Sequence, residues 1–142
     1  MSTADELQAR INAIEESYEF FLAYAAQGVA GDQASKSSGQ VREFLERMEQ
    51  ALSTLPDLFS SVITARSETD ATLYQSFVDV LRRDADDSLA AVRMVLAQPT
   101  IGSQMIDNLN ALIHLRALLT DVFLIDEILN PRVPGAGKPR AG

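Results

Sequence analysis

The chain has 142 residues and a mass of 15.5 kDa, room for one hydrophobic core but not for two. Apolar residues make up 46% and charged residues 23%, a globular composition, and 20 acidic against 12 basic side chains give a formal charge of −8. That balance argues against nucleic acid or an anionic membrane as main partner, since both demand a basic face. The absence of cysteine excludes disulfides, thiolate chemistry, Fe–S clusters and cysteine zinc sites.

The N-terminus, Met1 to Arg10, is polar and carries Asp5 and Glu6. It has neither the basic start nor the apolar run of a signal peptide, so a cytoplasmic location is expected. Thr3 with Glu6 three residues on predicts a capping box, in which two side chains satisfy two orphan backbone N–H groups. Leu7, Ile11, Ile14, Tyr18, Phe21 and Ala25 then recur at intervals of three and four, one face of a helix that Gly28 stops. The small polar run from Gly28 to Gln40 predicts a flexible loop.

A second helix is expected from Ser37 or Ser38, with Gln40 closing a box on Ser37, burying Val41, Phe44, Leu45, Met48, Leu52 and Leu55. Pro56 predicts a break and a fresh start, because proline suits a first turn and nowhere later. Leu58, Phe59, Val62 and Ile63 would then form a short helix to Arg66, or the chain runs on, bent. From Glu68 to Gln98 neither proline nor glycine interrupts a helical period set by Leu73, Phe77, Val80, Leu81, Ala85, Leu89, Val92, Val95 and Leu96. The polar run Arg82 to Ser88 marks a kink or a join between two helices. The last helix starts around Thr100 to Ser103 and runs to Asn130, where Pro131 ends it. No stretch alternates as a strand does, and no repeat recurs.

The fold expected is therefore all-α: an elongated antiparallel four-helix bundle over residues 1–130, or five helices if Pro56 to Arg66 stands alone. Residues 131–142 hold three prolines, three glycines, Arg132, Lys138, Arg140 and no acid, a flexible basic tail; the body keeps 9 basic against 20 acidic side chains. Leu109 to Leu129 is the most apolar stretch, but Asp121, Asp126, Glu127 and Arg116 interrupt it, so it reads as a bundle helix and not a membrane span. Elongated bundles often pair through an uncovered apolar face, and a homodimer is expected.

Chemistry-bearing residues are few. Glu16 and Glu19, Glu43 and Glu46, and Asp84 and Asp87 are spaced three apart, yet they fall off the apolar stripes and read as solvated faces. A ferritin-type metal site needs two Glu-x-x-His pairs, and the single histidine, His114, has Ala111 three residues before it. No metal and no cofactor is expected. His114 shares the edge of its helix's apolar arc with Asn110 and Asp121, and reads as a boundary histidine with a structural bond. Asp126 falls mid-arc among Leu115, Leu119 and Val122; there an ionised carboxylate needs a partner such as Arg93 or Arg116, unless the fraying helix end lets it reach solvent. Tyr18 and Phe21 lie on the first helix's seam. Phe20 and Tyr24, four apart, form a second ridge: a groove wall for a ligand or partner helix, or a wider buried face. Arg82 and Arg83 beside Asp84, Asp86 and Asp87 make a mixed patch without the basic clustering of a nucleic-acid surface.

Phosphate loops, nucleophile elbows and zinc-protease motifs are all missing. The leading reading is a non-enzymatic interaction module: an acidic bundle that binds another protein as adaptor, assembly factor or regulator. Second stands a small-molecule binder or minor enzyme with an inter-helix pocket lined by Tyr18, Tyr24, His114 and Asp126. Third stands an amphipathic structural or granule-surface protein.

Overall fold

The computed structural model describes residues 2–30, 32–66 and 71–130, with the side chains of residues 32–38 and 71 left aside. The expected tail at 131–142, the capping side chains of Ser37 and Ser38, and Glu68 lie outside what is described. The helices are α1 (Thr3–Ala26), α2 (Asp32–Ala65), α3 (Ala71–Leu96), α4 (Ser103–Ala111) and α5 (Ile113–Leu129), with no strand among the described residues. α1 packs on α2, α2 on α3 and α3 on α5, while α4 and α5 return to α1 and close the ring. α4 and α5 thus form the fourth rod of a four-helix bundle.

Neighbouring rods run antiparallel, as the cross-links along them show. Between α1 and α2, Arg10 Nε donates to Thr54 Oγ1 at 2.9 Å, Glu16 pairs with Arg47 at 2.8 Å and Phe20 stacks on Phe44. Between α2 and α3, Glu49 meets Arg93 at 2.9 Å and Asp57 meets Arg82 at 3.0 Å. In each pair one number rises as the other falls. Arg42 of α2 donates to the carbonyls of Leu96, at 2.8 Å, and Gln98, which caps the C-terminal end of α3 with a cation where the helix dipole favours one.

Several local expectations are corrected. The N-cap of α1 is Ser2 and not Thr3: Ser2 Oγ accepts from the Asp5 N–H at 3.1 Å, and Asp5 accepts from the Ser2 N–H at 3.3 Å. The shorter Asp side chain closes the box as Glu would, one residue earlier. The buried seam of α1 runs through Ser17 and Tyr24, with Tyr18 and Ala25 half-buried beside it. α2 begins at Asp32, inside the stretch read as a loop, and passes through Pro56 without a break. Met48, Leu52, Leu55, Phe59, Val62 and Ile63 form one buried stripe across the proline, so packing outweighs the lost backbone bond. Ser53 and Thr54 donate back to the carbonyls of Glu49 and Gln50 in the same turn. α3 likewise runs unbroken through Arg82–Ser88, because Leu81, Ala85, Ser88 and Leu89 keep its buried face in phase.

A further correction concerns the last helix, which breaks at Leu112 (φ −63°, ψ 128°) without proline or glycine. α4 buries Ser103, Ile106, Leu109 and Asn110, whereas α5 buries Leu115, Leu118, Leu119, Val122, Ile125 and Asp126. The step from Asn110 to Leu115 is five residues, out of phase with a single helix by about 140°. One extended residue at Leu112 turns α5 so that both stripes face the core. Ile113, which would continue the α4 stripe, is left 73% exposed. No helix among the described residues is long and apolar enough to cross a membrane.

α1 and α4 are joined by a buried polar knot. Ser103 Oγ donates to the Tyr24 carbonyl at 2.6 Å and accepts the Val29 N–H at 2.8 Å, while the Ser103 N–H donates to the Val29 carbonyl at 2.8 Å. The Tyr24 hydroxyl donates to the Ile101 carbonyl at 2.6 Å, and Asn110 Nδ2 to the Phe21 carbonyl at 3.2 Å. Ser103→Ala leaves the Val29 N–H buried without an acceptor and is expected to cost about 1–3 kcal/mol in urea unfolding. Tyr24→Phe, which frees only a carbonyl, is expected to cost about 1 kcal/mol.

Candidate functional site

The residues singled out from the sequence do not form one constellation. Phe20 stacks on Phe44 at 4.3 Å and 10° and on Tyr24 at 5.8 Å and 21°, so this ridge of α1 is covered by α2. Tyr24 is buried with its hydroxyl spent on Ile101, and Tyr18 is half-buried against the core. His114 is exposed at the start of α5, with Nδ1 3.7 Å from Asp87 Oδ2 of α3; its carbonyl accepts Ser88 Oγ at 3.0 Å. Asp126 lies twelve residues further along α5, about 18 Å away. It does not reach solvent at a fraying end: it is 3% exposed, and Asn130 Nδ2 donates to its Oδ1 at 3.1 Å. Arg93, one of the expected partners, is taken by Glu49.

What the fold does bring together lies along the outer seam of α3 and α5. At one end an apolar groove of about 300 Å³ opens between Leu73, Tyr74 and Phe77 of α3 and Leu124, Ile125 and Ile128 of α5, with Phe59 of α2 as its floor. Leu73 is 68% exposed, Leu124 50% and Ile128 48%, a concentration of bare apolar surface that a chain with this composition had no need to leave. Among the described residues of the lining, Tyr74 carries the only polar side-chain atom.

Inward along the same seam, Asp121 of α5 meets Asp84 of α3. Asp121 Oδ2 is shut off from solvent, and no N–H or hydroxyl reaches it. Burial first, then the hydrogen bond and the negative charge of Asp84, push the Asp121 carboxyl up to about 8. Near neutral pH Asp121 therefore keeps its proton and donates it to Asp84 in a hydrogen bond across the seam. Beyond them stand Asp87 and His114. Asp84, taken from its spacing as part of a solvated face, is corrected to a half-buried member of this pair. Among the described residues no group of three or more His, Cys, Asp or Glu is arranged to hold a metal ion.

Sequence reasoning missed this seam, although a signal existed. At 100° per residue Asp84 shares a face with Leu73 and Phe77, and Asp121 with Leu124 and Ile128. Drawing α3 and α5 as facing wheels would have set the aspartates opposite each other. Protein-family models, curated proteins and solved structures give no match to the chain.

The retained proton carries a sign. Unfolded, the Asp121 carboxyl ionises near 4; folded, it keeps its proton to about 8. Between those values the folded state binds more protons than the unfolded one, so this group's contribution to stability falls as pH rises from about 4 to about 8. Asp121→Asn, which donates permanently to Asp84, is expected to melt above the wild type at pH 8.5 and near it at pH 4.5, as followed by circular dichroism.

Proposed function

We propose that the chain is a non-enzymatic protein-interaction module and that the groove between α3 and α5 is its docking surface. The observation that carries this reading is the open apolar groove itself: Leu73, Leu124 and Ile128 stand about half exposed or more on a single copy whose described residues include 29 buried apolar side chains. Fully burying an aliphatic side chain is worth roughly 1.5–3 kcal/mol, so the uncovered set holds several kcal/mol that only a partner can realise. The described lining, with one polar side-chain atom, suits another protein's apolar face better than a small molecule, which needs several convergent polar groups to orient it. The single histidine, solvent-exposed and 3.7 Å from Asp87, offers little to a proton-transfer mechanism.

Leu73→Gln with Leu124→Gln tests the reading, because both side chains are exposed and their replacement leaves the fold intact. The wild type purified gently from its own host is expected to carry a second polypeptide in fixed ratio. The double variant is expected to lose it at an unchanged melting temperature. If sedimentation instead shows a dimer of the chain that the double variant splits, the groove serves the homodimer and the separate partner falls.

A further inference from the structure

Resting on that reading, we propose that the groove's occupant is an amphipathic helix whose apolar face fills it and whose lysine or arginine, about two turns along, is received between Asp84 and Asp121.

The geometry sets the spacing. Phe77 and Asp84 are seven residues apart on α3, and Ile128 and Asp121 seven apart on α5, two turns or about 10 Å in each case. Because α3 and α5 run antiparallel, both aspartates fall at the same, inner end of the groove. The groove walls are ridges of side chains four apart, Leu73 with Phe77 and Leu124 with Ile128, the relief into which a third helix packs lengthwise. An occupant whose apolar residues i and i+4 lie level with Ile128 and Leu124 thus brings residue i+7 or i+8 to the carboxyls.

Charge selects the occupant. The arginines that neighbour the seam on α3 are committed elsewhere, Arg82 to Asp57 and Arg93 to Glu49. Arg83 and Arg116 lie about 100° and 140° round their helices from Asp84 and Asp121. No cationic side chain among the described residues draws the Asp121 carboxyl back down. An ammonium or guanidinium laid against the solvent-facing edge of the two half-buried carboxyls displaces the Asp121 proton to solvent and makes charge-assisted bonds to both. A second copy of the chain, itself at −8, brings acid against acid, and an anionic lipid surface does the same.

The test is a binding titration of the full chain with four labelled synthetic helical peptides that share one leucine face. One bears Lys at i+7, one Gln and one Glu there, and one carries its lysine on the opposite face. The i+7 Lys peptide is expected to bind at least tenfold tighter than the Gln peptide, and the Glu peptide weaker than either. The displaced-lysine peptide is expected to match Gln. Asp84→Asn with Asp121→Asn is expected to erase the lysine preference, so that the Lys, Gln and Glu peptides bind alike, whereas Leu73→Gln with Leu124→Gln weakens all four. An equal gain from the displaced lysine, or no preference among peptides that still need Leu73 and Leu124, overturns the proposed pairing with Asp84 and Asp121 and leaves the docking groove standing. Binding indifferent to Leu73 and Leu124, or absent altogether, overturns the groove and the pairing together.

Discussion

Ser103 is the residue on which the shape of the molecule turns. Its hydroxyl and amide hold the end of α1 and the Val29 backbone at once, with Asn110 anchoring to Phe21 two turns further on. These bonds fix which face of α4 looks at α1. The stripe of α4 is thereby committed, and the stripe of α5, about 140° out of phase, reaches the core only because the chain takes one extended residue at Leu112. The turn at Leu112 decides in its course which α5 residues lie outward beside α3. The groove and the aspartate pair are thus downstream of a hydroxyl at the opposite face of the fourth rod.

The bundle itself was written plainly in the sequence, since the period of three and four needs only counting. Gly28 ended α1 as expected, in the left-handed conformation (φ 69°) that glycine adopts without cost. The errors share a cause: each rested on a local residue preference that long-range burial outweighed. Pro56 carries a real local penalty, but Leu52, Leu55 and Phe59 on either side are buried by α1 and α3, and together they hold the helix through it. Leu112 shows the opposite case, a break with no breaker, whose only trace is the five-residue step between two apolar stripes. The phase of the apolar stripe across the whole segment, and not its period within each half, marks the break.

The site was far less legible, because it belongs to two helices and neither shows it alone. Within α3, Asp84 looks like one more acid in a polar run; within α5, Asp121 looks like a boundary residue. Asp126 is buried, as its place in the middle of the apolar arc implies, yet it is satisfied locally by Asn130, four residues on. A buried carboxylate with its own hydrogen-bond donor is a settled piece of structure. Asp121, less deeply buried, lacks such a donor and faces its own charge. Pairing, more than depth, separates the two.

Two costs therefore lie along one seam. Apolar side chains stand in water at one end, and at the other an acid is held above its ordinary range with no cation to relieve it. Either alone is an ordinary imperfection, and a single substitution at Asp121 would remove the second. Their alignment on the same faces of α3 and α5, two turns apart, is harder to assign to chance, since stability alone favours covering the first and neutralising the second. A partner that brings an apolar face and a cation in that spacing relieves both in one act of binding, which is why the seam, more than either feature by itself, marks the working surface of the molecule.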